Sequence, residues 1–116
     1  MTKVEMFRPE TLEKAFSTRG TCLHEFVNEQ NGSTFASGIV YFHDVNYEWT
    51  LWYDEMLICV DPGGGFEVVV GEDIYSLSKG DSVWLPKDTP LTYRSKGLAI
   101  AYYAVSPADW KKRAPG

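Results

Sequence analysis

The chain has 116 residues, of which 44% are hydrophobic and 23% charged, and carries a formal charge of −5. That describes one ordinary globular domain able to bury a core without staples, and the acidic balance argues against nucleic acid as a partner. Cys22 and Cys59 are too few for a disulfide framework, and no run approaches the roughly 18 apolar residues of a membrane span.

Met1 leads into Lys3, Glu5, Arg8 and Glu10 rather than an apolar leader, so the expected compartment is the cytoplasm. Residues 1–20 read as an N-terminal segment. In it Thr11-Leu12-Glu13-Lys14-Ala15-Phe16 is expected to make one or two helical turns, with Pro9 or Thr11 near the start and Gly20 as the stop. Strands follow. Cys22 to Glu29 is the first, closed by the turn Asn31-Gly32. Phe35 to Phe42, Tyr47 to Trp52 and Met56 to Val60 come next. Asp61-Pro62-Gly63-Gly64-Gly65 is a turn. Phe66 to Val70, Ile74 to Leu77, Ser82 to Leu85, Leu91 to Arg94 and Leu98 to Val105 complete the set.

Short strands with turn signals this often predict an antiparallel sandwich or barrel over residues 21–110. A jelly roll is the natural closed form, because it protects sheet edges. Residues 111–116 form a tail, and its Lys111, Lys112 and Arg113 are expected to be solvated. The seven Tyr, six Phe and four Trp exceed what a small core needs. Some of these rings are expected to line a cavity or an interface.

Two stretches identify the barrel more closely. Trp49-Thr50-Leu51-Trp52-Tyr53-Asp54-Glu55 is followed by an apolar strand and the glycine turn. Gly80-Asp81-Ser82-Val83-Trp84-Leu85-Pro86-Lys87 leads to Leu91. Together they resemble the two motifs of the cupin superfamily, an all-β double-stranded β-helix. In that family the motifs supply three histidines and one glutamate to a metal. Here Trp49, Leu51 and Leu91 stand at the histidine positions, and of the four ligands only Glu55 remains. One carboxylate cannot hold a catalytic metal, so no metal and no cofactor are expected. With Tyr103 and Pro107-Ala108-x-Trp110, the same residues resemble the EutQ-type branch of ethanolamine utilisation over about residues 35 to 110. The long N-terminal extension of that branch is absent, so the chain reads as a stand-alone relative. The resemblance implies acetate kinase chemistry, yet the chain has no glycine loop followed by Lys and Ser or Thr, and no carboxylates paired for Mg²⁺.

In a cupin barrel Glu55 points inward. There it either serves as a general acid and base with a raised pKa or only accepts stabilising hydrogen bonds. Tyr53, in the turn before it, is a candidate proton donor or a surface turn residue. His43 shares strand parity with Trp49 unless a bulge intervenes, and it would then face the cavity beside Tyr41. Tyr41, Trp49, Leu51, Leu91, Tyr93 and Tyr103 are the expected substrate-binding positions, or simply core. His24 reads as structural. Trp52 and Trp84 have the other parity and suit packing between sheets or an interface.

Three functions remain open at this level. The first is a metal-independent enzyme doing dehydration, lyase or isomerisation chemistry on a small polar metabolite, with Glu55, Tyr53 and His43 as its acid-base groups. The second is a non-catalytic cupin that binds or senses a small ligand. The third keeps a metal through His43, Glu55 and water. The expected partners are a small molecule and a second copy in a homodimer, with no nucleic acid and no membrane.

Overall fold

In the computed structural model, which describes residues 4–115, ten strands follow one another. They are β1 (Phe16–Thr18), β2 (Thr21–Val27), β3 (Ala36–His43), β4 (Asn46–Thr50), β5 (Asp54–Asp61), β6 (Phe66–Val70), β7 (Asp73–Ser76), β8 (Ser82–Leu85), β9 (Pro90–Ser95) and β10 (Leu98–Ser106). They pair antiparallel into two sheets, in the orders β1-β2-β3-β10-β5-β8 and β4-β9-β6-β7. Successive side chains on a strand point to opposite faces, and the inward sets meet between the sheets. Leu57, Val68, Ala101 and Phe66 are almost wholly buried there. The jelly-roll expectation is met, and nine of the strands fall where the sequence places them.

The segment before β2 differs from its expected helix. A single 3-10 turn forms at Pro9–Thr11, and the chain then runs extended into β1. A solvent-exposed helix of one or two turns cannot repay its nucleation cost. The extended chain instead bonds Ala15 N–H to Leu23 carbonyl at 2.8 Å and turns Phe16 inward against Trp49 and Trp110. The β1–β2 turn holds only Arg19 and Gly20, at φ 44° and 88°, with Thr18 opposite Thr21. A two-residue hairpin of this hand needs positive φ at both positions. The reversal at Asn31-Gly32 also forms, but as a 3-10 turn at Glu29–Asn31 capped by Asn28 and ended by Gly32 at φ 76°.

The C-terminal tail is tied down rather than solvated throughout. Trp110 is 1% exposed, and its carbonyl accepts from Trp52 Nε1 at 2.7 Å. Its own indole N–H donates to Glu25 at 3.1 Å. Seating Trp110 carries Lys111 to the same carboxylate, where the two form an ion pair. Tyr103 Oη (2.8 Å) and Asn28 Nδ2 (3.1 Å) complete the donors around Glu25. Gly38 makes room for this. A Cβ there would overlap the His24 carbonyl oxygen and stand 2.8 Å from Tyr103 Oη. Lys112 and Arg113 do stay largely exposed, although each has an acidic neighbour. Among the described residues no helix is long and apolar enough to cross a membrane. Cys22 and Cys59 carry free thiols, and only Cys59 is fully buried.

Trp110→Ala is expected to cost about 3–5 kcal/mol in urea unfolding, as a large buried aromatic leaves a void. Lys112→Ala, at a side chain 70% exposed, is expected to change stability by less than about 0.5 kcal/mol.

Candidate functional site

The inward parity of β4 presents Tyr47 and Trp49, and that of β9 presents Tyr93. The hydrogen-bonded ladder sets Tyr47 opposite Tyr93 and Trp49 opposite Leu91. From the other sheet come Thr21, Phe42, Glu55 and Tyr103. Phe16 and Trp110 close the end. These side chains surround a cavity whose free space, counted as positions open to the centre of a water molecule, is about 30 Å³. That is room for about two waters, or for a solute of a few non-hydrogen atoms.

Glu55 is the one carboxylate in this cavity. It sits on β5 between Leu85 of β8 and Val105 of β10 and is 6% exposed. Tyr93 Oη donates to its Oε1 at 2.8 Å. Among the described residues nothing donates to its Oε2. Burial strips the carboxylate of water and pushes its pKa from 4.5 up to about 7, against the opposing pull of the Tyr93 hydrogen bond. No Lys or Arg side chain is paired with Glu55 among the described residues.

The phenols respond in the same direction. Burial raises Tyr53, and the charge of Glu55 adds to it. Tyr53 Oη accepts from Trp49 Nε1 at 3.0 Å, and an indole can only donate. The phenol proton of Tyr53 therefore has no protein acceptor among the described residues. Tyr47 shares a 2.7 Å hydrogen bond with Thr21 and is pushed up to about 12, mainly by burial. Tyr93 is raised by burial and then by Glu55. Tyr103 is raised by burial and then by Glu25. At the rim, the Arg19 guanidinium lies 4.7 Å from the Tyr47 ring centroid and 5.7 Å from that of Trp49, a cation–π arrangement.

Of the residues singled out in the sequence, Glu55, Tyr53, Trp49, Tyr93 and Tyr103 come together at the cavity. Leu51 and Leu91 are buried in the core beside it, where they pack without lining the free space. His43 and Tyr41 do not reach it. His43 is exposed at the end of β3, and its backbone N–H bonds Gly20 carbonyl. Tyr41 faces outward against His24, with ring centroids 5.7 Å apart. Asp44, at φ 53°, breaks the strand between His43 and Trp49, and the parity does not carry across it. Tyr47, Thr21, Phe16 and Trp110 are cavity residues the site reading missed. Tyr47 had a signal, since it shares the parity of Trp49. Phe16 and Trp110 come from segments with no strand pattern of their own.

The residues present do not fit the metal of the cupin fold. Histidine positions hold Trp49, Leu51 and Leu91, and among the described residues no three His, Cys, Asp or Glu side chains gather as a ligand set. His43 lies outside the cavity that contains Glu55, so the set of His43, Glu55 and water is not assembled either. The turn Gly63-Gly64-Gly65 borders a larger open cleft of about 690 Å³ with Arg94 and Lys96. Its amides are already used. Gly63 N–H goes to Asp61, Gly64 N–H to Lys96 carbonyl and Gly65 N–H to Pro62 carbonyl. Arg94 is bridged to Glu67 at 2.8 Å. The turn is the crossing from β5 in one sheet to β6 in the other, not a phosphate cradle.

A family model described as ethanolamine utilisation protein EutQ matches residues 2–112. The protein named acetate kinase EutQ of Salmonella typhimurium is 27% identical over 89 residues, which are 77% of this chain and 38% of that protein. This chain thus spans less than half the length of that relative. The structure of the Clostridium difficile EutQ protein superposes with a TM-score of 0.72 at 21% identity, covering 81% of this chain and 67% of that one. An RmlC-like cupin from Shewanella frigidimarina gives 0.71 at 20% identity, covering 97% and 99%. At these identities the structural likeness establishes the cupin fold.

Folded Glu55 titrates above its unfolded value, so between pH 4.5 and about 7 the folded state holds a proton that the unfolded state has lost. Its contribution is fully present below pH 4.5 and declines as pH rises through 7. Wild type is therefore expected to lose about 3 kcal/mol across that window relative to Glu55→Gln, measured by urea unfolding at a series of pH values. Tyr93→Phe removes the Glu55 hydrogen bond that opposes the rise, and is expected to move the end of the decline above pH 7. A parallel pH dependence in wild type and Glu55→Gln would refute the assignment.

Proposed function

We propose that this chain, which belongs to the EutQ family, is a metal-independent cupin enzyme that moves a proton on a small polar metabolite held in the barrel cavity. The observation that carries the reading is Glu55. It is a buried carboxyl with its pKa brought to about 7, one oxygen fixed by Tyr93 and the other without a protein donor among the described residues. A group balanced between its two forms at neutral pH is suited to act as both acid and base. Tyr53 lies in the same cavity with an uncommitted phenol proton, which fits it to hold a carbonyl or hydroxyl oxygen of the substrate. Tyr93 acts through Glu55 and is a positioning residue.

Dehydration, lyase and isomerisation reactions need this equipment and no redox group. In a dehydration, Glu55 in its acid form gives its proton to the hydroxyl, which departs as water, and the carboxylate so formed takes the proton from the neighbouring carbon as the double bond forms. In an isomerisation, its ionised form takes a proton from carbon beside a carbonyl and returns it to the neighbouring position. The small free space of the cavity favours a metabolite of a few non-hydrogen atoms. The acetate kinase activity in the name of the longer relatives is not part of this proposal, since neither a phosphate cradle nor a pair of Mg²⁺ carboxylates supports it here.

A second reading is a binding or sensing module. It is favoured by the aromatic filling of the cavity, which leaves so little free space and suits stacking and apolar contact.

A thermal-shift screen of small carboxylates, amines, aldehydes and hydroxy compounds tests both, followed by NMR turnover assays on every compound that raises the melting temperature. The enzyme reading expects a binder that is also converted, with turnover falling at least about 100-fold in Glu55→Gln. Binding without conversion favours the module. Conversion that persists in Glu55→Gln contradicts the role given to Glu55.

A further inference from the structure

Of the side chains around the Glu55 cavity, ten are buried and three are half-buried, namely Phe16 and Thr18 of β1 and Trp49 of β4. The cavity therefore meets solvent between β1 and the end of β4. Arg19 follows Thr18 at the tip of the β1–β2 hairpin and is exposed there. Its guanidinium lies over two rings of the cavity wall, 4.7 Å from the centroid of Tyr47 and 5.7 Å from that of Trp49. The attraction between cation and ring holds it at the opening.

Nothing in the chain uses the charge of Arg19. Among the described residues no carboxylate pairs with it. The other cation beside a cavity ring, Lys111, stands 5.7 Å from Trp110 and is paired with Glu25. Arg19 is not the counter-ion of Glu55 either, whose titration is governed by burial and by Tyr93. The position does not favour arginine on backbone grounds. At φ 44° Asn or Gly would turn this two-residue hairpin with less strain.

The site thus has two unlike ends. At the opening is a fixed positive charge with a planar fork of N–H donors. Inside are the Tyr53 hydroxyl and Glu55, which repels an anion whenever it is ionised. A ligand with a carboxylate at one end is oriented with that end outward. We propose that Arg19 is the specificity-determining residue of the cavity, and that the metabolite is a short hydroxy or oxo acid. Its unreacting carboxylate pairs with Arg19, and its hydroxyl or carbonyl end reaches Tyr53 and Glu55. The inference rests on the acid–base reading given above. One guanidinium matches one carboxylate, which it grips with two parallel N–H bonds. The free space inside suits the few remaining atoms.

Chemical-shift titration of the full chain with lactate, pyruvate and 3-hydroxybutyrate, and with their uncharged amides, tests this. At least one acid is expected to bind, and its amide to bind at least about 10-fold more weakly. Arg19→Gln is expected to weaken the acid by the same factor and to leave the amide unchanged. Arg19→Asn places a residue that suits the turn. It is expected to weaken the acid equally without lowering the melting temperature by more than about 5 °C, which separates recognition from a structural role. An acid that binds through Arg19 and is not converted contradicts the enzyme reading and upholds this one. Conversion of a compound without a carboxylate, unaffected by Arg19→Gln, upholds the enzyme reading and overturns this one. The proposal is also overturned if no acid binds, if an acid keeps its affinity in Arg19→Gln, if an amide binds as tightly as its acid, or if inorganic phosphate binds at Arg19 more tightly than the acids do.

Discussion

A carboxyl group buried among aromatic rings between two β-sheets, with no cation paired to it among the described residues, is the constraint around which this barrel is arranged. Removing a carboxylate from water costs several kcal/mol. The fold meets that cost by holding Glu55 close to neutrality, at a pKa of about 7, and by giving it the Tyr93 hydroxyl. The same alternation of side chains that carries Glu55 inward from β5 brings Tyr47 and Trp49 in from β4 and Tyr93 from β9. Burial among the rings raises the hydroxyls of Tyr47, Tyr53 and Tyr93, and the charge of Glu55 adds to it. The cavity is therefore lined by rings, polar at its hydroxyls and at the one carboxyl of Glu55.

The second buried glutamate shows what the first lacks. Glu25 receives Tyr103, Trp110, Asn28 and the Lys111 ammonium, so its oxygens are saturated and its task is to fasten the C-terminal segment. Through Tyr103 and Trp110, which also line the cavity, that fastening fixes the walls around Glu55. One carboxylate with a full set of donors supports the fold. The other, with one oxygen uncommitted among the described residues, is the one on which the proposed function rests.

Much of this was legible in the sequence because strands and tight turns are local. Runs of alternating or β-branched residues punctuated by Gly, Pro, Asn and Asp located nine strands, and the two motif segments identified the cupin barrel with Glu55 inside it. What failed was non-local or turned on a single dihedral. Asp44 in a left-handed conformation decides that His43 and Tyr41 face away from the cavity, and nothing in residue type announces it. Phe16 sits in a strand rather than a helix because Trp49 and Trp110, distant in sequence, offer it a pocket. Lys111 leaves solvent because Trp110 beside it is buried. Tyr47 was readable by parity and was passed over because the motif directs attention to the histidine positions.

The central claim is that Glu55 titrates near neutrality inside the folded barrel. The most direct measurement follows the side-chain carboxyl carbon of glutamate by NMR from pH 3 to 9, with Glu55→Gln assigning the resonance. The account predicts one glutamate with a midpoint near 7 that is missing in the variant. A Glu55 midpoint near the ordinary 4.5 would mean that water or a cation reaches the carboxylate, and the acid-base role assigned to it would fall.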